Sequence, residues 1–450
     1  MIRLKPTLLL VWLCPAAGLV AQDQPDPTWD LDGCMRYAVE HNLQIKQNRI
    51  ACEESGIDTR TARAALFPSL SFSTSHNLTN RPFGEQHSIV DGTNVISTQN
   101  KTNYTGNYGL NAQWTVYNGR KRLNTLEQQR IQDRMADLDV ETQENDICEQ
   151  IAQTYVQILY AAESVRTSEN TLQTSEATCE RARQLMEAGS LAKSDLAQLE
   201  AGRSADHYQL TTARSTLQRY RLQLKQLLEL EGETEMNLAL PELDDADVMR
   251  PLPTRADVYA AALATRPEME AVRLGLQTSD LDIRIAQGGY LPTVSVMAGI
   301  GTSHTTGSDF TFAEQAKNGW NNSVGLSVSV PIFNNRQTKS AVQKAKLARQ
   351  RSQLQLQDQE KSLYETVEGY WLDATNAQQD YLAAVDKVKS AQASYDLVSE
   401  QFDAGMKNTV ELLSEKNNLL SAKQQLLQAK YTALLSAALL RFYAGERIQL

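Results

Sequence analysis

The stretch Tyr108-Gly109-Leu110-Asn111-Ala112-Gln113-Trp114-Thr115-Val116-Tyr117-Asn118-Gly119-Arg120 decides how the chain is read. Successive side chains of a strand point to opposite faces, so Tyr108, Leu110, Ala112, Trp114 and Val116 share one side and Gly109, Asn111, Gln113 and Thr115 the other. Three further segments alternate alike. Leu70-Ser71-Phe72-Ser73-Thr74-Ser75 puts its serines on one face, and Val294, Val296, Ala298 and Ile300 oppose Ser295, Met297, Gly299 and Gly301. Val324, Leu326, Val328, Val330 and Ile332 oppose Ser323, Gly325, Ser327 and Ser329. One face is apolar and the other small and polar.

The strand ending Tyr117-Asn118-Gly119-Arg120 recurs 216 residues later as Phe333-Asn334-Asn335-Arg336, and the same offset carries Gly109-Leu110 to Gly325-Leu326, Tyr155 to Trp371 and Ala188-Gly189 to Ala404-Gly405. An offset of 224 carries Asn42-Leu43-Gln44-Ile45 to Arg266-Pro267-Glu268-Met269, Pro68 to Pro292 and Leu70 to Val294. The chain therefore reads as two similar halves, 22–231 and 254–450, joined by a proline-bearing segment at 232–253. Each half is expected to run helix, hairpin (66–118 and 290–333), then two long helices, 120–187 with 191–230 and 336–403 with 407–443. The difference between the offsets puts a variable, polar loop near 80–103 and 304–320.

Arg120 to Glu187 contains neither Pro nor Gly, and apolar residues step by seven at Val165, Leu172, Cys179 and Met186, as they do at Tyr381, Val388, Tyr395 and Phe402. Leu210, Leu217 and Leu224 repeat the step on the returning helix. A sustained seven-residue step is a coiled-coil seam, and such a helix spans roughly 100 Å. Cys34, Cys52, Cys148 and Cys179 align with Val258, Leu276, Tyr364 and Tyr395, so they read as small buried hydrophobes.

Met1 to Ala21 reads as a secretory signal, with Arg3 and Lys5 before the apolar Thr7–Leu13 and a cleavage site at Leu19-Val20-Ala21. Leu13 is bulky where a lipoprotein signal at Cys14 would want a small residue. The 450 residues hold 44 Lys+Arg against 54 Asp+Glu, a net charge of −10, which disfavours nucleic acid as a partner. Mean hydropathy is −0.43. After residue 21 no run of 18 or more apolar residues exists to make a membrane-crossing helix. There is no CxxC pair, HExxH, GxSxG or phosphate loop, and the histidines at 41, 76, 87, 207 and 304 are scattered, so neither a metal, a cofactor nor catalysis is indicated.

In a soluble sandwich the apolar strand faces would pack on a core. Here four strands sit on long rods with no second sheet to cover them, and apolar-out, small-polar-in is the pattern of an outer-membrane barrel. Strands of about ten residues cross a bilayer when tilted. Four cannot close a barrel, so subunits must share one, and physics alone allows two, three or four copies.

The mature chain resembles the TolC-like outer membrane factors. The resemblance is carried by the tandem halves, the strand starts Leu66-Phe67-Pro68-Ser69-Leu70 and Tyr290-Leu291-Pro292-Thr293-Val294, the strand ends at 116–120 and 330–336, and the turns Ala188-Gly189-Ser190 with Asp195-Leu196 and Ala404-Gly405-Met406 with Glu411-Leu412. It implies a mainly α fold with a β-barrel part, in a homotrimer that shares a 12-stranded barrel in the outer membrane of a Gram-negative bacterium. A periplasmic helical tunnel would meet a membrane fusion adaptor, and through it an inner-membrane pump of RND, ABC or MFS type, as a passive conduit for efflux or type I secretion. The alternative is an exported structural coiled coil, a stalk or adhesin whose strands form a soluble head.

On this reading Gly189, Asp195, Gly405 and Glu411 form the adaptor-docking tip, and Asp396, Glu400, Asp403, Glu180 and Glu187 ring the tunnel mouth. Glu411 stands where the family commonly has Asp, and Ser190 where Leu is frequent. Leu70, Phe72, Leu110, Trp114, Val294, Val296, Leu326 and Val328 face lipid, and Pro68 and Pro292 mark the helix-to-strand junctions, where a missing amide is least costly.

Overall fold

The computed structural model describes residues 29–82, 88–91, 94–97, 102–231, 236–239, 241, 245–306, 308 and 310–450. The signal segment expected at 1–21 lies outside them. In chain order the elements are α1 (Leu31–His41), α2 (Leu43–Ala64), β1 (Ser69–Asn80), β2 (Ser88–Asp91), β3 (Asn94–Ser97), β4 (Thr102–Asn118), α3 (Lys121–Glu187), α4 (Lys193–Leu227) and α5 (Asp245–Val248). Then come α6 (Arg255–Thr265), α7 (Pro267–Gln287), β5 (Thr293–Thr305), α8 (Phe312–Asn318), β6 (Asn321–Ser329), α9 (Gln337–Asp403) and α10 (Thr409–Tyr443).

The repeat is written into the backbone. α3 and α9 each have 67 residues and α4 and α10 each 35, displaced by 216. Both long helices begin after two successive left-handed residues, Gly119 and Arg120 in one half and Asn335 and Arg336 in the other. Gly119 tolerates nothing larger, since a β-carbon there would stand 2.4 Å from the Gly288 carbonyl oxygen, whereas Asn335 uses asparagine's tolerance of that conformation. Each half opens with two helices rather than one. Asn42 breaks the first pair and caps α2 through its side chain, and Arg266-Pro267 breaks the second.

β1, β4, β5 and β6 form one antiparallel sheet in that order, leaving β1 and β6 as edges. The register joins the halves by pairing β4 with β5, Leu110 against Ile300 and Gly109 against Gly301, with a bulge between Thr115 and Tyr117. Strand lengths run from 9 residues in β6 to 17 in β4 rather than a uniform ten. β6 stops at Ser329, before Pro331, so Val330 and Ile332 fall beyond it. The expected loops are not featureless, for β2 and β3 pair in the first and α8 fills part of the second behind a Thr311–Glu314 capping box.

The helices pack on paired seven-residue stripes. Ile147, Thr154, Ala161, Ser168, Ser175 and Ala182 are all buried along α3, beside Ile151, Ile158 and Cys179. Val165, Leu172 and Met186 are only half-buried, so the tight positions of the seam belong to the small residues beside them. The thickest core lies midway, where Cys34, Ala38, Ile45, Ile151, Tyr155, Leu224 and Leu439 meet. Of the described residues between the halves, Met236 joins that core and Trp29 bridges to Leu238, while Val248 packs in a neighbouring cluster with Ala377, Tyr381, Ala433 and Leu434.

All four cysteines among the described residues are free. Cys34 and Cys179 are buried, Cys148 partly so, while Cys52 departs from the buried-hydrophobe reading: it is half-buried and its thiol donates to Asp137 Oδ1 at 3.1 Å. Burial pushes the Cys34 thiol up to about 12 and the Cys148 thiol to about 11, and the Asp137 hydrogen bond raises Cys52 to about 11. Thiolate is the reactive form, so these groups are inert at neutral pH. Native protein at pH 7.5 should alkylate slowly, and denatured, unreduced mature chain should release all four thiols to a colorimetric titration. Fewer than four would show a disulfide.

Candidate functional site

The chain carries chemistry-bearing features at its two ends. At one end, cross-strand rows carry one apolar face across the part of the sheet nearer the helices: Phe72, Leu110 and Ile300 in one row, which ends on Asn322; Leu70, Ala112, Ala298 and Val324 in the next; then Trp114, Val296 and Leu326; then Val294 and Val328. Phe72 is 68% exposed and Val324 84%. The opposite face reads Ser71, Asn111, Gly299, Ser323 and Ser73, Gly109, Gly301, Asn321. None of the four strands contains Asp, Glu, Lys or Arg. Pro68 and Pro292 immediately precede β1 and β5, and the Trp114 indole N–H donates to the Leu66 carbonyl at 2.9 Å, tying strand to helix end.

At the other end, α3 and α9 close in matching turns. Gly189 (φ 80°) and Gly405 (φ 75°) are left-handed. The amide of Ser190 bonds to the Leu185 carbonyl and that of Met406 to Gln401, which is a Schellman cap. A β-carbon at either glycine would meet nothing within 4 Å, so backbone conformation alone requires them. The following helices differ. α10 starts on a capping box in which Asn408 and Glu411 satisfy each other's amides, and Lys407 Nζ lies 2.6 Å from Glu411 Oε1. The hydrogen bond from Lys407, then that from the Asn408 amide, hold the Glu411 carboxyl below its ordinary range. α4 starts at Ala192 with no side-chain cap, and Asp195 occupies the position that Glu411 fills in the other half.

The acidic candidates separate. Asp396, Glu400 and Asp403 fall on one face of α9, but Asp403 is ion-paired to Arg181 of α3 at 2.8 Å. Glu180 lies 3.5 Å from Arg183, which also holds Glu200 at 3.0 Å. Asp396 accepts from Gln392 at 2.8 Å, and among the described residues no ion pair reaches Asp396, Glu400 or Glu187.

Sequence reasoning missed the strut above the tip. Lys416 of α10 reaches Asp206 of α4 at 2.6 Å and Ser175 of α3 at 3.2 Å, while Ser175 Oγ also donates to Asp206. Lys416 and Asp206 are nearly buried, with side chains 12% and 8% exposed. The network joins the two helical hairpins around a small core of Cys179, Leu196, Leu199, Phe402 and Leu412. A signal was present: Asp206 stands between Leu199 and Ala213 on a seven-residue stripe, and the other half has Ala422 and Ala391 where this one has Asp206 and Ser175.

Lys416→Met should cost about 3 kcal/mol, because Asp206 would be left as an uncompensated buried charge. The Lys416→Met/Asp206→Asn pair should recover most of it, read by hydrogen exchange along α4. Asn408→Ala should cost roughly 1 kcal/mol at the start of α10 and Ala192→Asn should slow exchange at the start of α4.

The family described as outer membrane efflux protein matches this chain twice, at residues 35–229 and 258–446. The outer membrane efflux protein BepC of Brucella suis is 21% identical over 424 residues, 94% of this chain and 86% of that protein. The alkaline protease secretion protein AprF of Pseudomonas aeruginosa is 27% identical over half of each chain. Among solved structures, the outer membrane protein VceC of Vibrio cholerae superposes with a TM-score of 0.76 at 16% identity, covering 93% of this chain and 97% of that one. The double family match falls on the two structural repeats, and the fold agrees over nearly the whole length. The chain thus belongs to the outer membrane efflux protein family, the TolC-like channels of the outer membrane.

Proposed function

We propose that this chain is one third of a channel that carries cargo passively from the periplasm to the exterior. The observation that supports the reading is the sheet: its apolar face is bare, its other face is small, polar and uncharged, and the outer edges of β1 and β6 meet no strand among the described residues. In hydrocarbon every backbone amide and carbonyl must be paired, so such a sheet has to close. β1 of one copy pairs with β6 of the next, and three copies, the family's architecture, complete a barrel of about twelve strands. Leu70, Phe72, Leu110, Trp114, Val294, Val296, Leu326 and Val328 then face lipid.

The helices below the edges agree. α2, which leads into β1, exposes Leu43, Ile50 and Ile57 at seven-residue steps, and α9, which follows β6, exposes Leu347 and Leu354 seven apart. The two stripes meet between neighbouring copies as a further coiled-coil seam. At the far end the turns at Gly189 and Gly405, with Asp195 and Glu411, receive a periplasmic membrane fusion adaptor, through which an inner-membrane pump of RND, ABC or MFS type delivers cargo. Asp396 and Glu400, with Glu187, line the mouth as a cation-favouring ring, and Asp403 serves the link to Arg181. The signal is cleaved after Ala21 on export.

Reconstituted protein should conduct in planar bilayers with a preference for cations, since the strands carry no charge and the tips are acidic. Asp396→Asn with Glu400→Gln should lower the cation-to-anion permeability ratio severalfold; an unchanged ratio would remove these residues from the selectivity site. Ile50→Glu should dissociate detergent-extracted trimers and Leu347→Lys in the same chain should restore them. A product recovered in the soluble periplasmic fraction would favour the stalk reading instead.

A further inference from the structure

We infer that His76 and His304 form a binding site for a transition-metal ion of the kind imidazole favours, Zn2+, Ni2+ or Cu2+, at the end of the sheet remote from the helices. The strand register builds it. His76 of β1 stands opposite Gly106 of β4, and Gly106 opposite His304 of β5, so two imidazoles from different repeats flank one glycine on the same face. A β-carbon at residue 106 would stand 2.7 Å from His304 Nδ1 and 3.2 Å from His76 Nδ1. Both nitrogens therefore lean into a space that only glycine leaves open.

His304 Nδ1 is buried and has no hydrogen-bond partner among the described residues. Buried polar atoms are nearly always satisfied, so an orphaned imidazole nitrogen across Gly106 from a second imidazole calls for a ligand that accepts lone pairs. Aromatic packing accounts for the surrounding rings and leaves this nitrogen unexplained. Around the pair, Tyr104 Oη lies 2.8 Å from His76 Nδ1 as an additional oxygen donor, and Thr74 Oγ1 lies 3.0 Å from His76 Nε2, fixing that ring as outer partners of ligating histidines do. Tyr108 stacks on His304 at 5.8 Å between ring centres and Phe312 packs edge-on at 4.9 Å, so the site is walled by rings. Metal–nitrogen bonds of about 2.0 to 2.1 Å are reached by turning the imidazoles toward each other over Gly106. Among the described residues no cluster of three or more His, Cys, Asp or Glu exists, so the ion takes two imidazoles, with the phenol and water completing its shell. The site stands on the register alone and does not need the channel reading.

The test is Zn2+ titration of intact, detergent-purified protein by calorimetry, comparing wild type with His76→Ala, His304→Ala, Gly106→Ala and the double histidine variant. Wild type should bind one Zn2+ per chain that the double variant does not, and each single variant should weaken it tenfold or more. Gly106→Ala does so without removing a donor. A wild-type isotherm that superimposes on that of the double variant would overturn the proposal. A measurement on wild type alone guards against misassembled variants: Zn2+ should shield His76 and His304, and not His41 or His207, from a histidine-acylating reagent mapped by mass spectrometry. Equal labelling of all four with and without Zn2+ would likewise overturn it.

Discussion

Two unpaired strand edges govern this molecule. Along their outer edges β1 and β6 present rows of backbone donors and acceptors that meet no strand among the described residues, on a sheet whose apolar face is bare. In water such edges invite aggregation, and in lipid each unsatisfied group costs several kcal/mol. Both problems have one solution, closure with further copies. The exposed heptad stripes on α2 and α9 carry the same requirement down the helices, so the strands and the rods below them need the same neighbours.

Duplication sets where that closure is symmetrical and where it is not. The long helices, left-handed entries and glycine turns repeat at a fixed displacement, so the two halves offer nearly equivalent backbones. Side chains then separate them. Asn408 caps one tip helix while Ala192 leaves the other uncapped, and the Ser175–Asp206–Lys416 strut sits where the matching residues are Ala391, Ala422 and Glu200. The tip therefore has one secured and one looser hairpin, linked by a buried ion pair and by the Arg181–Asp403 bridge.

Much of this was legible in the sequence. Period-two alternation identified all four strands of the sheet and their apolar face, and Gly189 and Gly405 announced their turns because a left-handed residue after a helix is most often glycine. What escaped notice depends on information that periodicity lacks. The outer end of β4, Thr102 to Asn107, is polar on both faces and so shows no alternation, although it pairs with Ser75–Asn80. The tight positions of the α3 seam are filled by Ser168, Ser175 and Ala182, which look like surface residues until the helix rotation is known. Arg181–Asp403 and the pairing of His76 with His304 across Gly106 join residues more than two hundred positions apart, which only the register between repeats brings together.

The most direct test of the central claim is cross-linking between the edge strands. With the native cysteines replaced, one cysteine fixed on β1 and another moved along β6 should, at matching registers, give a covalent species of three chains and nothing larger on a denaturing gel. Cross-linking that stops at two chains, continues past three, or fails at every register would contradict a barrel shared by three copies.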